Sequence, residues 1–178
     1  MQRVHIDIGT HTQATPEAVF ELLADGATWP AWSPIESFEL ERHGDPTPEG
    51  VGAIRAFREG PRTRRDQIIE VVPGRRFCYV TLSGTPARDC ETQVDLDGSR
   101  EGTAIRWRAS FCPRILGTGW LVKRGLRHFL EDCARGLARH ASRDRATTIP
   151  ASLLWPEDDW WGLGSPPVRT PGDEGVSS

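Results

Sequence analysis

Arg55 is the residue whose surroundings point most directly to chemistry. It stands in the segment IRAF, among apolar residues of a predicted strand. An unpaired guanidinium buried there would cost several kcal/mol, so Arg55 needs a hydrogen-bonding or anionic partner. One hypothesis is that the partner is a ligand carbonyl or carboxylate. The alternatives are that Arg55 pairs with Asp66 or Glu70, or that it faces water.

Two further side chains could move protons. Tyr79 is the only tyrosine in the chain, and Gln67 is expected near it. A phenol and an amide in an apolar cavity could orient a hydroxylated ring or relay a proton. Alternatively, Tyr79 is a core residue whose hydroxyl group reaches a backbone carbonyl. His128 adjoins the apolar Phe129 and could act as a general base, or it could be a surface histidine of a helix.

The sequence lacks the motifs that signal metal or cofactor chemistry. Its other histidines form no HExxH spacing, and there is no GxGxxG, Walker loop or GxSxG segment. Its four cysteines follow neither CxxC nor zinc-finger spacing, so we interpret them as small buried hydrophobic residues. We therefore expect no metal and no cofactor.

The amino-acid composition excludes some classes of binding partner. The 178 residues are 37% hydrophobic and 26% charged, which is typical of a globular protein. The 22 basic residues are scattered among 25 acidic ones, so a nucleic-acid partner is not expected. No apolar run is long enough for stable membrane insertion, and the N-terminus lacks the pattern of a signal peptide. These features predict a cytoplasmic protein.

The period of the apolar residues predicts the elements that would hold these side chains. Residues 4–12 alternate as in a strand, and Thr15 and Pro16 then provide the start of a short helix that ends at Asp25 and Gly26. The segment TWPAWSP forms a turn or a second brief helix. Strands are predicted near residues 35–43, 51–59, 63–72, 75–83, 87–97 and 102–112. Apolar residues at helical spacing predict a long helix from about residue 115 to 141.

This order predicts an α+β fold in which a curved, seven-stranded antiparallel sheet packs against the long C-terminal helix, with two short helices closing one end. A space left between sheet and helix would be a ligand cavity. Trp29 and Trp32, on the closing segment, would seal that cavity or form its entrance. Trp107 should point inward because residues 105–111 alternate cleanly. The helix would present Leu126 and Phe129 on its apolar face.

The chain divides into a ligand-binding domain over residues 1–141 and a tail over residues 142–178. The tail is rich in proline, glycine and acidic residues, which indicates a mostly flexible segment. Residues 152–164 carry three tryptophans, and such a cluster is rarely left in water. We expect this segment either to dock on its own domain or to bind a protein partner.

Several segments of the sequence resemble those of a known superfamily. They are ATPEAVFELLADGATWPAW at the start, EGVGAIRAF and RRDQIIEVVPGRRFCYV in the strands, and LRHFLEDCARGLARHA in the last helix. Together with the element order, they resemble the helix-grip (SRPBCC, START-like) superfamily, which includes START lipid-transfer domains, the birch-pollen allergen type and aromatic polyketide cyclases. The likeness is strongest to its bacterial polyketide cyclase/dehydrase and lipid transport branch, and it covers about residues 3 to 141.

The resemblance implies which strand residues face the cavity. On the concave side it places Ala53, Arg55 and Phe57 on one strand, Arg65, Gln67 and Ile69 on the next, and Phe77, Tyr79, Thr81 and Ser83 on the third. The ligand-binding residues expected on this basis, together with the tryptophans and the helix face, are Trp29, Trp32, Phe57, Arg65, Gln67, Phe77, Trp107, Leu126 and Phe129.

The resemblance also implies a function, namely binding of a hydrophobic or aromatic small molecule. As a polyketide cyclase/dehydratase, the protein would close an aldol ring and eliminate water. Arg55 would polarise a carbonyl and stabilise the enolate, while Tyr79 or His128 would transfer protons. The alternative is a non-catalytic carrier or sensor of lipids or aromatic metabolites, which needs the cavity but no acid or base.

Overall fold

A computed structural model describes residues 3–115 and 117–147, with side chains described through residue 143. The predicted α+β fold and its element order are confirmed. The elements are β1 (Val4–Thr12), α1 (Pro16–Ala24), a 3-10 turn (Gly26–Thr28), α2 (Trp29–Trp32), β2 (Ser37–Arg42), β3 (Ile54–Glu59), β4 (Arg62–Val72), β5 (Arg76–Ser83), β6 (Ala87–Ser99), β7 (Gly102–Pro113) and α3 (Gly119–Thr147).

The seven strands form one antiparallel sheet in the order β1-β7-β6-β5-β4-β3-β2. The helix α1 starts where the sequence predicts, since the Thr15 side chain accepts a hydrogen bond from the Ala18 N–H and Pro16 occupies the first turn. The prolines of the next segment permit only the 3-10 turn and the single turn of α2.

The β3–β4 hairpin decides which charged residues lie inside the fold. Gly60 and Pro61 alone connect the two strands, so Phe57 lies opposite Arg64 and Arg55 lies opposite Asp66. Directly paired residues point to the same face of a sheet. Because Arg55 and Phe57 are buried, Arg64 and Asp66 are buried with them.

The predicted orientation of β4 is therefore wrong by one residue. Arg65 and Ile69, expected on the concave face, are exposed, and Gln67 is half-buried on the outer face. A one-residue slip in register turns every side chain of a strand to the opposite face. The orientation of Trp107 is confirmed, because this residue is fully buried on the inner face of β7.

The helix α3 covers the inner face of the sheet chiefly with its C-terminal half. The residues it buries there are Leu130, Cys133, Ala134, Leu137, Ala138 and Ala141. The Thr12 hydroxyl donates a hydrogen bond of 2.9 Å to the Ala138 carbonyl and so ties β1 to this half. Gly117, with a φ of 83°, precedes the helix, which begins at Gly119 and ends at Thr147, later than predicted at both ends.

Trp29 fills the space between α3 and the sheet. Its ring stacks on Phe57 with centroids 5.0 Å apart, and it contacts the Trp32 ring at 4.7 Å and the Trp107 ring at 6.2 Å. Its indole N–H donates a hydrogen bond to the Leu23 carbonyl. Trp29 and Trp32 are therefore core residues in this structure, whereas the sequence predicted them at a cavity wall or entrance.

The tail beyond residue 147, including the predicted docking segment 152–164, lies outside the described residues. Within residues 3–115 and 117–147, no helix is both long and apolar enough to cross a bilayer.

Gly136 permits the close contact between α2 and α3. A Cβ atom at this position would lie 1.6 Å from the Trp32 carbonyl oxygen, far inside van der Waals contact. Gly125, on the same helix, has open space where its Cβ atom would be. The two glycines thus differ in what they do, although both lie within one helix.

We predict opposite effects of alanine at these two glycines. Gly136→Ala should lower the free energy of unfolding by at least about 2 kcal/mol, because α2 and its tryptophans must move. Gly125→Ala should raise it by about 0.5–1 kcal/mol through helix propensity. Urea denaturation of both variants measures the difference, and equal effects would contradict the close contact.

Candidate functional site

A cavity of about 480 Å³ opens beneath the N-terminal half of α3, where that helix is less deeply packed on the sheet. Its wall combines the β3–β4 and β5–β6 turns with the segment that leads into the helix. The lining residues are Glu59, Arg62, Arg64, Gly84, Thr85, Pro86, Ile115, Thr118, Leu121, Val122, Gly125, Leu126 and Phe129. We call this space the α3 cavity.

Arg64 is the buried charge in the wall of the α3 cavity. Its Nε donates a 2.9 Å hydrogen bond to Asp66 Oδ2, and its Nη1 lies 2.9 Å from Glu59 Oε1. The Thr81 hydroxyl donates to the other Asp66 oxygen at 2.7 Å. The guanidinium carbon also lies 4.8 Å from the ring centroid of Phe129. These contacts hold the guanidinium in one orientation.

The Nη2 group of Arg64 is not used by this network. Arg64 is only 8% exposed, yet its Nη2 has no hydrogen-bond partner among the described residues. Burial alone would lower the pKa of Arg64, but Asp66, Tyr79 and Glu59 raise it above its ordinary value, so the residue stays cationic. Nη2 itself has almost no solvent-exposed surface, so a hydrogen-bond acceptor of a ligand reaches this donor only when the side chains around it move.

Arg55, which was predicted to be catalytic, binds backbone carbonyls of α1 and a carboxylate of the β2–β3 loop. It is 1% exposed, and it donates hydrogen bonds to the carbonyls of Leu23 and Ala24 at the end of α1. Its Nε lies 2.7 Å from Glu49 Oε2. A cation at a helix C-terminus satisfies carbonyls that have no partner within the helix. Its partner is thus neither Asp66 nor Glu70.

The Arg55–Glu49 ion pair holds the β2–β3 loop in place but contributes little net electrostatic stabilisation. Burial raises the pKa of Glu49 and lowers the pKa of Arg55, although each charge favours the other. Desolvation therefore outweighs the attraction at both groups, as is common for buried ion pairs. Glu49 also accepts a hydrogen bond from the Gly26 N–H, which connects the β2–β3 loop to the start of the 3-10 turn.

Neither of the other two predicted catalytic residues, Tyr79 and His128, lines the α3 cavity. Tyr79 is buried in the core, where its ring packs against Trp29 and Phe77, and burial raises its pKa above the ordinary value. His128 is on the solvent side of α3, where its side chain is 74% exposed and its Nε2 lies 3.6 Å from Asp132. The structure therefore leaves His128 outside the core that holds both Arg55 and Tyr79.

The predicted ligand-binding residues divide into three groups. Leu126 and Phe129 line the α3 cavity. Arg65 and Gln67 are on the outer face of the sheet, where Arg65 pairs with Glu41 at 2.8 Å. The remaining five are core residues, namely Trp29, Trp32, Phe57, Phe77 and Trp107.

Sequence reasoning missed Arg64 and Glu59, although one signal for them was present. Residues Gly60 and Pro61 form a two-residue connection, and such a connection fixes the pairing of the strands that it joins. With Arg55 and Phe57 inside, that pairing places Arg64 inside and Arg65 outside. No comparable signal marks Glu49, because its contact with Arg55 forms through a loop.

Comparison with known proteins agrees with the fold described above. Residues 3–142 match the family model described as polyketide cyclase/dehydrase and lipid transport. The chain belongs to this family. No curated protein matches the sequence.

Solved structures share the fold of this family member at low sequence identity. Ara h 8.0201 superposes with a TM-score of 0.66 at 13% identity, over 79% of this chain and 98% of its own. A START superfamily protein from Mycobacterium smegmatis superposes with a TM-score of 0.66 at 12% identity, over 79% of this chain and 97% of its own. The di-domain ARO/CYC StfQ from the steffimycin biosynthetic pathway gives 0.66 at 15% identity, over 82% of this chain and 52% of its own.

We predict that Arg55 stabilises the fold. Arg55→Met should lower the free energy of unfolding by about 3 kcal/mol, because it leaves Glu49 and two helix-end carbonyls without their partner. The matched control is Arg58→Met on the same strand. The exposed Arg58 side chain donates to the Gly60 carbonyl and to no other group in the described residues, so this change should alter stability by less than about 0.5 kcal/mol. Denaturant unfolding compares them, and a fully stable Arg55→Met protein would contradict this role.

Proposed function

We propose that this family member binds a hydrophobic or aromatic small molecule in the α3 cavity, with a neutral carbonyl group of that molecule against Arg64. The observation that carries the proposal is the buried Nη2 of Arg64, which has no partner among the described residues. Membership of a family described by cyclase, dehydrase and lipid transport supports a hydrophobic ligand.

The size and lining of the cavity suit such a ligand. Small-molecule sites are typically concave spaces of about 300–1,000 Å³ with mostly apolar walls and a few polar groups that fix orientation. The α3 cavity, at about 480 Å³, is in this range. Val122, Leu126 and Phe129 provide its apolar helix wall, and Arg64 provides a fixed donor.

The local charges favour a carbonyl over a carboxylate. Arg64 carries one positive charge, but both Glu59 and Asp66 contact it. A carboxylate ligand would bring a third negative group to this buried place, and like charges repel strongly where water is excluded. A neutral acceptor can take the free N–H without that repulsion, so we expect a ketone, an aldehyde or an ester.

Binding for transport or sensing is the function that the geometry supports best, because neither Tyr79 nor His128 reaches the α3 cavity. A cyclase is the second candidate, favoured by the presence of Glu59 beside Arg64 in the cavity wall. Glu59 would take the α-proton of one carbonyl while Arg64 holds the enolate oxygen. The enolate carbon would then bond to a second carbonyl carbon, and the proton held by Glu59 would go to the alkoxide oxygen that forms there. Glu59 would next remove the remaining α-proton and pass it to this hydroxyl group, which leaves as water while the C=C bond forms.

The first experiment uses prodan, a neutral naphthyl ketone whose fluorescence reports hydrogen bonding and polarity. We expect the wild-type protein to bind it and Arg64→Met to bind it at least about tenfold more weakly, because a hydrogen bond to a charged group is lost. The adjacent Arg65→Met is the matched control, since Arg65 lies on the outer face, and it should leave the affinity unchanged.

Two further variants keep the test valid if Arg64→Met does not fold. Arg64→Lys keeps a charge beside Asp66, and it should also weaken prodan binding because the forked donors are lost. Gly125→Leu should block the cavity without touching the charged network, since space is open at that Cβ position. Undiminished prodan binding in both of these variants would place the ligand elsewhere and reject the proposal.

The cyclase candidate has its own test in the closure of a linear diketone to a cyclic enone. If Glu59 is the base, the wild-type protein should accelerate closure, and Glu59→Gln should lose about 100-fold or more of that acceleration. Prodan binding should be retained in Glu59→Gln within about threefold, because the cavity keeps its shape. A wild-type protein that binds prodan but does not accelerate closure would reject the cyclase and leave the carrier.

A further inference from the structure

Large apolar side chains are left in solvent at the mouth of the α3 cavity and in a groove on the outer side of α3, which Trp120 lines. Trp120 is 70% exposed, Ile115 is 68% exposed and Leu121 is 56% exposed. Leu121 lines both the α3 cavity and a groove on the outer side of α3, so the apolar side chains continue from one space to the other. An exposed cluster of this kind indicates an interaction surface.

The surface formed by this mouth and the outer groove is positively charged in a chain whose net charge is −3. Residues 102–130 contain no aspartate or glutamate. Arg62 lines the cavity, and Lys123 and Arg124 line the outer groove; none of these three has an ion pair within the part of the chain that the structure describes.

The acidic residues near this surface are already neutralised. Glu59 in the cavity wall pairs with Arg64, and Glu131 in the outer groove pairs with Arg127 at 2.8 Å. The unpaired charges at the mouth are therefore basic, and they lie beside exposed aromatic and aliphatic groups. We call Arg62, Ile115, Trp120, Leu121, Lys123 and Arg124 the mouth surface.

We propose that the mouth surface docks on an anionic phospholipid surface. Basic residues near a membrane are attracted to acidic headgroups, while tryptophan, leucine and isoleucine enter the boundary between headgroups and acyl chains. Three apolar side chains suffice for reversible contact but not for insertion. The proposal goes beyond ligand binding, because docking requires no ligand in the cavity.

Co-sedimentation of the full chain with vesicles tests the proposal without any cavity ligand. We expect binding to phosphatidylcholine vesicles that contain phosphatidylglycerol, weak binding to phosphatidylcholine alone, and loss of binding as salt is raised. Arg124→Glu should lower the partition coefficient roughly 25-fold, from about fivefold for each unit of charge. Trp120→Ala should lower it about tenfold through lost apolar contact.

Arg139→Glu is the matched control, since it makes the same charge change on an exposed part of α3 about 22 Å further along the helix, at about 1.5 Å per residue. It should change vesicle binding less than about threefold, because salt screens charges at that distance. Equal losses in Arg124→Glu and Arg139→Glu, full binding by Trp120→Ala, or no binding of the wild-type chain would each overturn the proposal. Capture by soluble polyglutamate but not by vesicles would assign the surface to an acidic protein instead.

Discussion

The packing of Trp29 between α3 and the sheet is the contact on which the rest of this structure depends. Its ring stacks on Phe57 and touches Trp107, and α2 can bring it there only because Gly136 lets the Trp32 carbonyl approach α3. A large aromatic group in this place removes the space in which a ligand would otherwise lie between the helix and the centre of the sheet. The cavity that remains is displaced to the N-terminal half of α3.

The buried arginines follow from the same packing. Arg55 lies on the Trp29 side of the core, where it joins the end of α1 to the sheet and to Glu49. Arg64 lies opposite Phe57, where Asp66 and Glu59 neutralise it and its Nη2 group has no partner in the described part of the chain. Both guanidiniums are buried, and each nitrogen of Arg55 lies against a protein oxygen, whereas the Nη2 group of Arg64 has no partner among the described residues. Arg64 is therefore the arginine that we propose to bind a ligand.

The fold could be predicted from the sequence because it depends on local periodicity. The alternation in β7 placed Trp107 inward, and Thr15 and Pro16 marked the start of α1. The site could not be predicted to the same depth. The face of β4 depends on a hairpin pairing that the family resemblance did not supply, and the partner of Arg55 is a loop glutamate with no pattern around it. The burial of Trp29 depends on a glycine more than 100 residues later in the chain.

The most direct test of where a ligand binds is the titration of isotope-labelled full chain with prodan, followed by nuclear magnetic resonance. Binding in the α3 cavity predicts the largest chemical-shift changes at the Arg64 Nε–H group and at the amides of Leu126 and Phe129. The indole N–H of Trp29 and the Nε–H of Arg55 should move little. Changes centred on Trp29 and Arg55, with none at Arg64, would show that the core opens to admit the ligand and would contradict this account.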